Sequence, residues 1–354
     1  MKELWHSLWQ RLTDTRLMRR VTDALLHARC RRHLAALDRL QPDRRQTRIL
    51  LGLVHEARST PFGRDHDFAR VRSADDFRRL VPLRTPAQPL SLPSSPALAS
   101  AQRAALLTAL ALVRRTKPQA DLCMGSMVLP DEAASALART GTVTCLSGSV
   151  SSLLKRMAEA KRQARRDRVM EVWPDLTAVL WSRRPTDPPA DLLREEVGSD
   201  VQLLETVSRF GAPVAVEDPE TGLLRWLPDH GIYFEFVATA ESQPQRLTFD
   251  RVEAGVDYEL VLSSPAGLWA CRTGDVVRFE RRDVPLFRIT GVSAEEKYTV
   301  TLPRAEEALP QDTPHAALGT PHAIQPPHRR SDGIPAGRPE MFVHNPWSVP
   351  ADRG

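Results

Sequence analysis

Residues 217–237, EDPETGLLRWLPDHGIYFEFV, and 252–279, VEAGVDYELVLSSPAGLWACRTGDVVRF, decide the reading of the fold. Both stretches carry strand patterns. In Tyr258-Glu259-Leu260-Val261-Leu262 the apolar run fits a buried strand, and Pro265-Ala266-Gly267 supplies a turn. Leu268 and Trp269 then open a second strand that is expected to end on Gly274, with Arg272 before it and Asp275 after it. A carboxylate just past such a glycine can accept a bidentate hydrogen bond from a sugar diol, because the missing side chain lets a ligand approach closely. The same spacing also describes a plain hairpin with an exposed Asp at its turn.

Outward from this segment, strands and helices alternate. Asp200 to Val207 and Trp173 to Trp181 read as strands, the second of them buried. Residues 141–154, GTVTCLSGSVSSLL, pass from a strand through a Ser/Gly turn into a helix expected to reach about Arg168. That alternation predicts an α/β sheet with parallel pairs. Residues 3–58 are expected to be helical, with a break at Gln41-Pro42-Asp43, and residues 59–68, STPFGRDHDF, form a turn-rich connector. Ser73-Ala74-Asp75-Asp76 has the form of a capping box with Asp76 in the place of Glu or Gln, and Pro82 and Pro86 end the helix it opens. A long helix runs from Ala97 to Val113. Beyond Pro303, prolines recur at 303, 310, 314, 321, 326, 327, 335, 339, 346 and 350 with little periodic apolar content, so 303–354 is expected to be a disordered tail.

The chain has 354 residues, 42% of them hydrophobic, enough for one large or two medium cores. Its net charge of +5 comes almost entirely from arginine, with lysine only at 2, 117, 155, 161 and 297. A nucleic-acid partner is not expected: the charges are spread along acid-rich helices, aromatic content is 6%, and the one dense run, Lys161 to Arg168, reads as a solvated helix face. Cys30, Cys123, Cys145 and Cys271 lie far apart without CxxC or histidine pairing, which indicates neither a disulfide framework nor a zinc site. The N-terminal residues Leu4, Trp5, Leu8, Trp9 and Leu12 form an amphipathic pattern rather than a secretory signal. No apolar stretch is expected to reach the roughly 20 residues that cross a bilayer. The expectation is a cytoplasmic protein with no membrane partner.

Several motifs occur in an order that resembles the GH3 family, the acyl-acid amido synthetases of the adenylate-forming superfamily. Thr60-Pro61-Phe62-Gly63-Arg64-Asp65-His66 is similar to the family's T-x-F-G-x-x-H stretch, and Phe77 and Val81-Pro82 continue it. Gly148-Ser149-Val150-Ser151-Ser152-Leu153-Leu154 resembles its G-x-P-S-W-L-x-x-L turn. Val216-Glu217-Asp218-Pro219, Tyr233-Phe234-Glu235-Phe236 and Gly267 to Asp275 resemble its last blocks, which end in Y-R-x-G-D. The resemblance implies an α/β, adenylate-forming-enzyme-like large domain over 1–290 with a helical N-terminal part, 1–84, and a mixed sheet within 97–290. A truncated C-terminal lid would be left as a remnant at 291–302. It implies ATP and Mg2+ as cofactors, a small carboxylic acid and an amino acid as partners, and acyl adenylation followed by amide formation. Asp275 would hold the ribose hydroxyls, with Arg272 and Gly274 as its neighbours in the nucleotide site. Lys297, in Ala294-Glu295-Glu296-Lys297, would match the lid lysine, although Glu295 stands where the family has glycine.

Two of the family's tools are altered. Its glycine-rich phosphate loop should fall near 91–97, where this chain has Ser91-Leu92-Pro93-Ser94-Ser95-Pro96-Ala97, without glycine and with prolines that lack an N–H. Its metal-positioning acid falls at Phe210 or Gly211, neither of which can hold magnesium. Glu205, the nearest acid, reads as a strand-edge charge. His27 and His33, six residues apart, share no helix face, and His230 beside Asp229 reads as a turn residue. Two functions stay open: a GH3-like acid–amino acid ligase, or a non-catalytic pseudoenzyme or truncated fragment acting as a binding scaffold.

Overall fold

The computed structural model describes residues 16–85, 96–118, 127–128, 143–183, 187–239 and 245–293. The chain divides into a unit Met1–Thr301 and a unit Leu302–Gly354. The expected tail, most of the lid remnant, Lys297 and the N-terminal amphipathic pattern lie outside the described residues.

The N-terminal part is helical, as expected: α1 (Arg16–Asp38), α2 (Pro42–Ala57), the short α3 (Pro61–Asp65) and α4 (Ala74–Leu80). The connector over 59–68 is more ordered than turn chemistry implies, because Thr60 caps α3 by accepting from the Gly63 N–H at 3.1 Å. Ser73 caps α4 by accepting from the Asp76 N–H, and the Asp76 carboxylate reaches back to the Arg72 N–H at 3.1 Å, so aspartate completes a variant of the box. Helix α5 (Pro96–Thr116) follows. Contrary to expectation, its 21 residues are long and apolar enough to span a bilayer by length and composition. Its alanines raise the hydropathy, and its buried Ala109, Leu112 and Val113 join a core with Leu26 and Cys30 of α1.

Within the described residues eleven strands form one mixed sheet, ordered β1-β2-β3-β4-β5-β6-β11-β10-β9-β7-β8. Strands β1 (Met127–Val128), β2 (Cys145–Ser149), β3 (Ala178–Ser182) and β4 (Gln202–Arg209) are parallel. From β4 onward the pairs are antiparallel: β5 (Ala212–Asp218), β6 (Leu223–Trp226), β7 (Tyr233–Ala238), β8 (Arg246–Leu247), β9 (Asp257–Ser264), β10 (Leu268–Arg281) and β11 (Leu286–Val292). Helix α6 (Val150–Ala164) leaves β2 directly, capped by Ser149, and α8 (Asp191–Val197) precedes β4.

Three sequence expectations need correction. The strand expected from Trp173 occupies only Ala178–Ser182, since Val169–Val172 form a short helix, α7, and Trp173 caps it. Helix α6 stops at Ala164, because Arg165 turns left-handed at φ 53°. Strand β10 does not end on Gly274 but continues to Arg281, and Asp275 lies mid-strand rather than at a hairpin turn. An aromatic core lies under the antiparallel strands: Trp226, Phe236, Phe249 and Phe279 pack edge to face or tilted with centroids 4.9 to 6.3 Å apart. A second cluster, with Phe68, Phe77 and Trp269, docks the N-terminal helices on the opposite face.

Candidate functional site

The parallel block ends at Ser182 of β3 and Arg209 of β4, and ligands in open α/β sheets bind beyond such carboxyl ends. Beyond these ends the chain brings together Arg183, Glu205, Arg209, Glu217 and Asp275. Glu205 is not a plain edge charge, because β4 has neighbours on both sides. Its carboxylate lies 3.9 Å from Arg183, and its N–H donates to Glu217 Oε2 at 2.8 Å. Burial pushes the Glu205 carboxyl above its ordinary value, with Arg183 pulling it down and Glu217 adding to the rise. Arg183 also stacks over Trp181, 5.5 Å from the ring centre.

Asp275 is set by two irregularities in β10. The first lies at Ala270, whose φ of 47° puts its N–H on Ser263 Oγ at 2.9 Å and lets Arg84 bridge the strand. The second lies between Arg272 and Val276, where Gly274 adopts φ 79°, a conformation glycine takes without strain. Thr273 fills the gap: its hydroxyl donates to the Leu260 carbonyl at 2.9 Å and accepts from the Asp275 N–H at 3.2 Å. Arg272, the expected neighbour in the nucleotide site, pairs with Glu259 of β9.

The Asp275 carboxylate is buried, with 8% of its side chain exposed, and both oxygens face Arg209. Arg209 Nη2 donates to Oδ1 at 2.6 Å, and Nε lies 2.6 Å from Oδ2. Burial pushes the Asp275 carboxyl above its ordinary value, and Arg209 pulls it back. In sequence Arg209 simply adjoins the altered Phe210–Gly211 turn. No local signal links it to a residue 66 positions away.

The position that the resemblance gives to the metal acid is a two-residue hairpin between β4 and β5. Phe210 and Gly211 both have positive φ, 51° and 75°, and Gln102 of α5 donates to the Gly211 carbonyl at 2.9 Å. Of the expected phosphate-loop segment, Pro96 and Ala97 open α5, and the rest lies outside the described residues. Among the described residues no group of three His, Cys, Asp or Glu side chains could hold a metal ion.

A second polar group, which the sequence did not link, is buried between α1, α5 and the turn before β7. His33 Nε2 lies 2.8 Å from Thr108 Oγ1, Thr108 lies 3.5 Å from His230 Nε2, and His230 Nδ1 meets Asp229 at 2.5 Å. Burial, reinforced by His230, lowers the His33 pKa to about 4. His230 sits in a turn as expected, and is itself buried.

Residues 226–291 match the family model described as the GH3 family central domain, so the resemblance is shown over the stretch that contains Gly274 and Asp275. No curated protein matches the sequence. Among solved structures, a "GH3.15 acyl acid amido synthetase" is 15% identical, covers 70% of this chain and 68% of its own, and superposes with a TM-score of 0.51, which shows the shared fold. "AtGH3.15 acyl acid amido synthetase in complex with 2,4-DB" is 20% identical over 43% of this chain, and this chain spans only 36% of that one, with a TM-score of 0.32. The "O-succinylbenzoate Coenzyme A Synthetase (MenE) from Bacillus Subtilis, in complex with AMP" is 13% identical over 42% of this chain and 31% of its own, with a TM-score of 0.25.

Proposed function

Because residues 226–291 are a GH3 central-domain segment within this fold, we propose that the chain is a non-catalytic relative of the acid–amino acid ligases, a binding scaffold that does not form acyl-adenylates. The pairing of Asp275 with Arg209 carries this reading. A ribose diol uses both carboxylate oxygens, and here Oδ1 already accepts from Arg209 Nη2, while Oδ2 lies 2.6 Å from Arg209 Nε without a hydrogen bond. The tight Phe210–Gly211 hairpin adds to the argument, since it offers no oxygen-bearing side chain for magnesium. The described residues therefore do not fit a magnesium-bound triphosphate. Losing one preorganised charge-stabilising group costs on the order of a hundredfold in rate, and here more than one is altered.

Calorimetric titration of the full chain with ATP–magnesium tests this, together with ATP–pyrophosphate exchange over a panel of aromatic and fatty carboxylates. A flat titration at millimolar nucleotide and no exchange are expected. Saturable binding that Asp275→Ala removes, accompanied by exchange, overturns the reading. A second reading, a working ligase, is favoured by Asp275, Arg272 and Gly274 standing together at the β10 bulge. In it Lys297 serves adenylation, and ATP, Mg2+, a small carboxylic acid and an amino acid are the ligands.

A further inference from the structure

Under helix α4, strand β7 buries two polar side chains that the candidate site does not use. Tyr233 and Glu235 are two residues apart on β7 and so share one face, and each is 1% exposed. Arg246 of β8 crosses to Glu235 and places two donors on one oxygen, Nε at 3.1 Å and Nη2 at 2.5 Å from Oε2. Its Nη1 donates to the Val81 carbonyl, just past the end of α4. The same guanidinium lies over Phe77, 5.3 Å from the ring centre, and Phe77 meets the Tyr233 ring edge-on at 5.9 Å. Arg78, the next residue of α4, pairs with Asp75 at the surface through Nη2. It belongs to the same interior, since its charge acts on both Tyr233 and Glu235.

Each of the three residues has one buried polar atom with no hydrogen-bond partner among the described residues: Tyr233 Oη, Glu235 Oε1 and Arg78 Nη1. Such orphans are uncommon in folded proteins, because each forfeits the hydration it had in the unfolded chain. Three in one cluster call for a guest, and the donors and acceptors fix its chemistry. An anion would meet the Glu235 carboxylate, and a cation would meet the Arg78 and Arg246 guanidiniums. A small neutral guest that both donates and accepts meets neither objection. Burial pushes the Tyr233 phenol well above its ordinary value, with the Glu235 charge adding to the rise, so the hydroxyl keeps its proton to donate. We propose that this cluster under α4 binds one internal water, which accepts from Arg78 Nη1 and Tyr233 Oη and donates to Glu235 Oε1. Internal waters typically make about three hydrogen bonds to otherwise unpaired groups, and three are offered here. Bound there, the water ties α4 of the N-terminal part to the antiparallel strands. The site does not rest on the nucleotide reading, since it uses neither Asp275 nor Arg209.

The test is a crystal structure of the full chain at a resolution that shows ordered waters, with urea unfolding of Tyr233→Phe beside it. A density peak within hydrogen-bonding distance of Tyr233 Oη, Arg78 Nη1 and Glu235 Oε1 is expected. Lack of that peak, or Tyr233 Oη bonded directly to Glu235 Oε1, overturns the proposal whatever the variant does. Tyr233→Phe keeps the ring against Phe77 and removes only the hydroxyl. If the hydroxyl holds the water, its loss should lower the folding equilibrium constant about threefold or more. A hydroxyl that is truly orphaned gives the opposite sign, because removing it leaves the constant unchanged or raises it. That result also overturns the proposal.

Discussion

Arg209 holds the Asp275 carboxylate, 8% exposed, through a hydrogen bond to Oδ1 and an ion-pair contact at Oδ2 that water competes for poorly. Arg209 is itself partly exposed, so the pair is weaker than a fully buried one. Arg209→Ala should therefore destabilise the fold by roughly 1–3 kcal/mol in urea unfolding, because it strands a buried carboxylate. A double-mutant cycle with Asp275→Asn should give a coupling of about 1 kcal/mol or more, and additive effects would show the pair to be incidental. His33 makes a pH prediction. Its folded-state pKa of about 4 lies below the ordinary 6.5, so between those values the unfolded chain binds more protons. Stability from neutral His33 is then fully present above pH 6.5 and lost as pH falls toward 4. The change is on the order of 2–3 kcal/mol. It should be largely absent in His33→Gln, compared by urea midpoints at pH 7.5 and 4.5. Asp229, Arg29, Arg225 and His230 all face this ring, so retention of the full pH dependence in the variant would assign it to them.

Among the elements, the β4–β5 hairpin and the β10 bulge position the site. The hairpin depends on Gly211, whose φ of 75° strains any side chain and whose added Cβ would meet Leu98 Cδ2 at 3.4 Å. Gly211→Ala should cost about 1 kcal/mol or more in thermal or urea unfolding, while an unchanged midpoint would mean that the turn relaxes freely. Much at this scale was legible in the sequence. Tyr258 to Leu262 read as a buried strand, Pro265-Ala266-Gly267 as its turn and Ser73 to Asp76 as a cap, because each is set by neighbours within four residues. The continuation of β10 past Gly274 was not legible. Glycine is a fair stop signal, but here the Thr273 hydroxyl takes the ladder bonds that the bulge would lose, and pairing with β11 from Asp275↔Val292 onward carries the strand to Arg281.

For the whole molecule, the sheet joins a parallel block with an antiparallel one, and the second curls enough for β10 to meet the end of β4.

The sequence by itself determined the helical N-terminal part, an α/β sheet with parallel pairs, and the segment ending in Arg272-Thr273-Gly274-Asp275, because helical and strand periods and turn chemistry are local. Only the tertiary structure decided what Asp275 touches. The strand order carries Arg209 across three intervening strands to that carboxylate, and no periodicity encodes such a meeting.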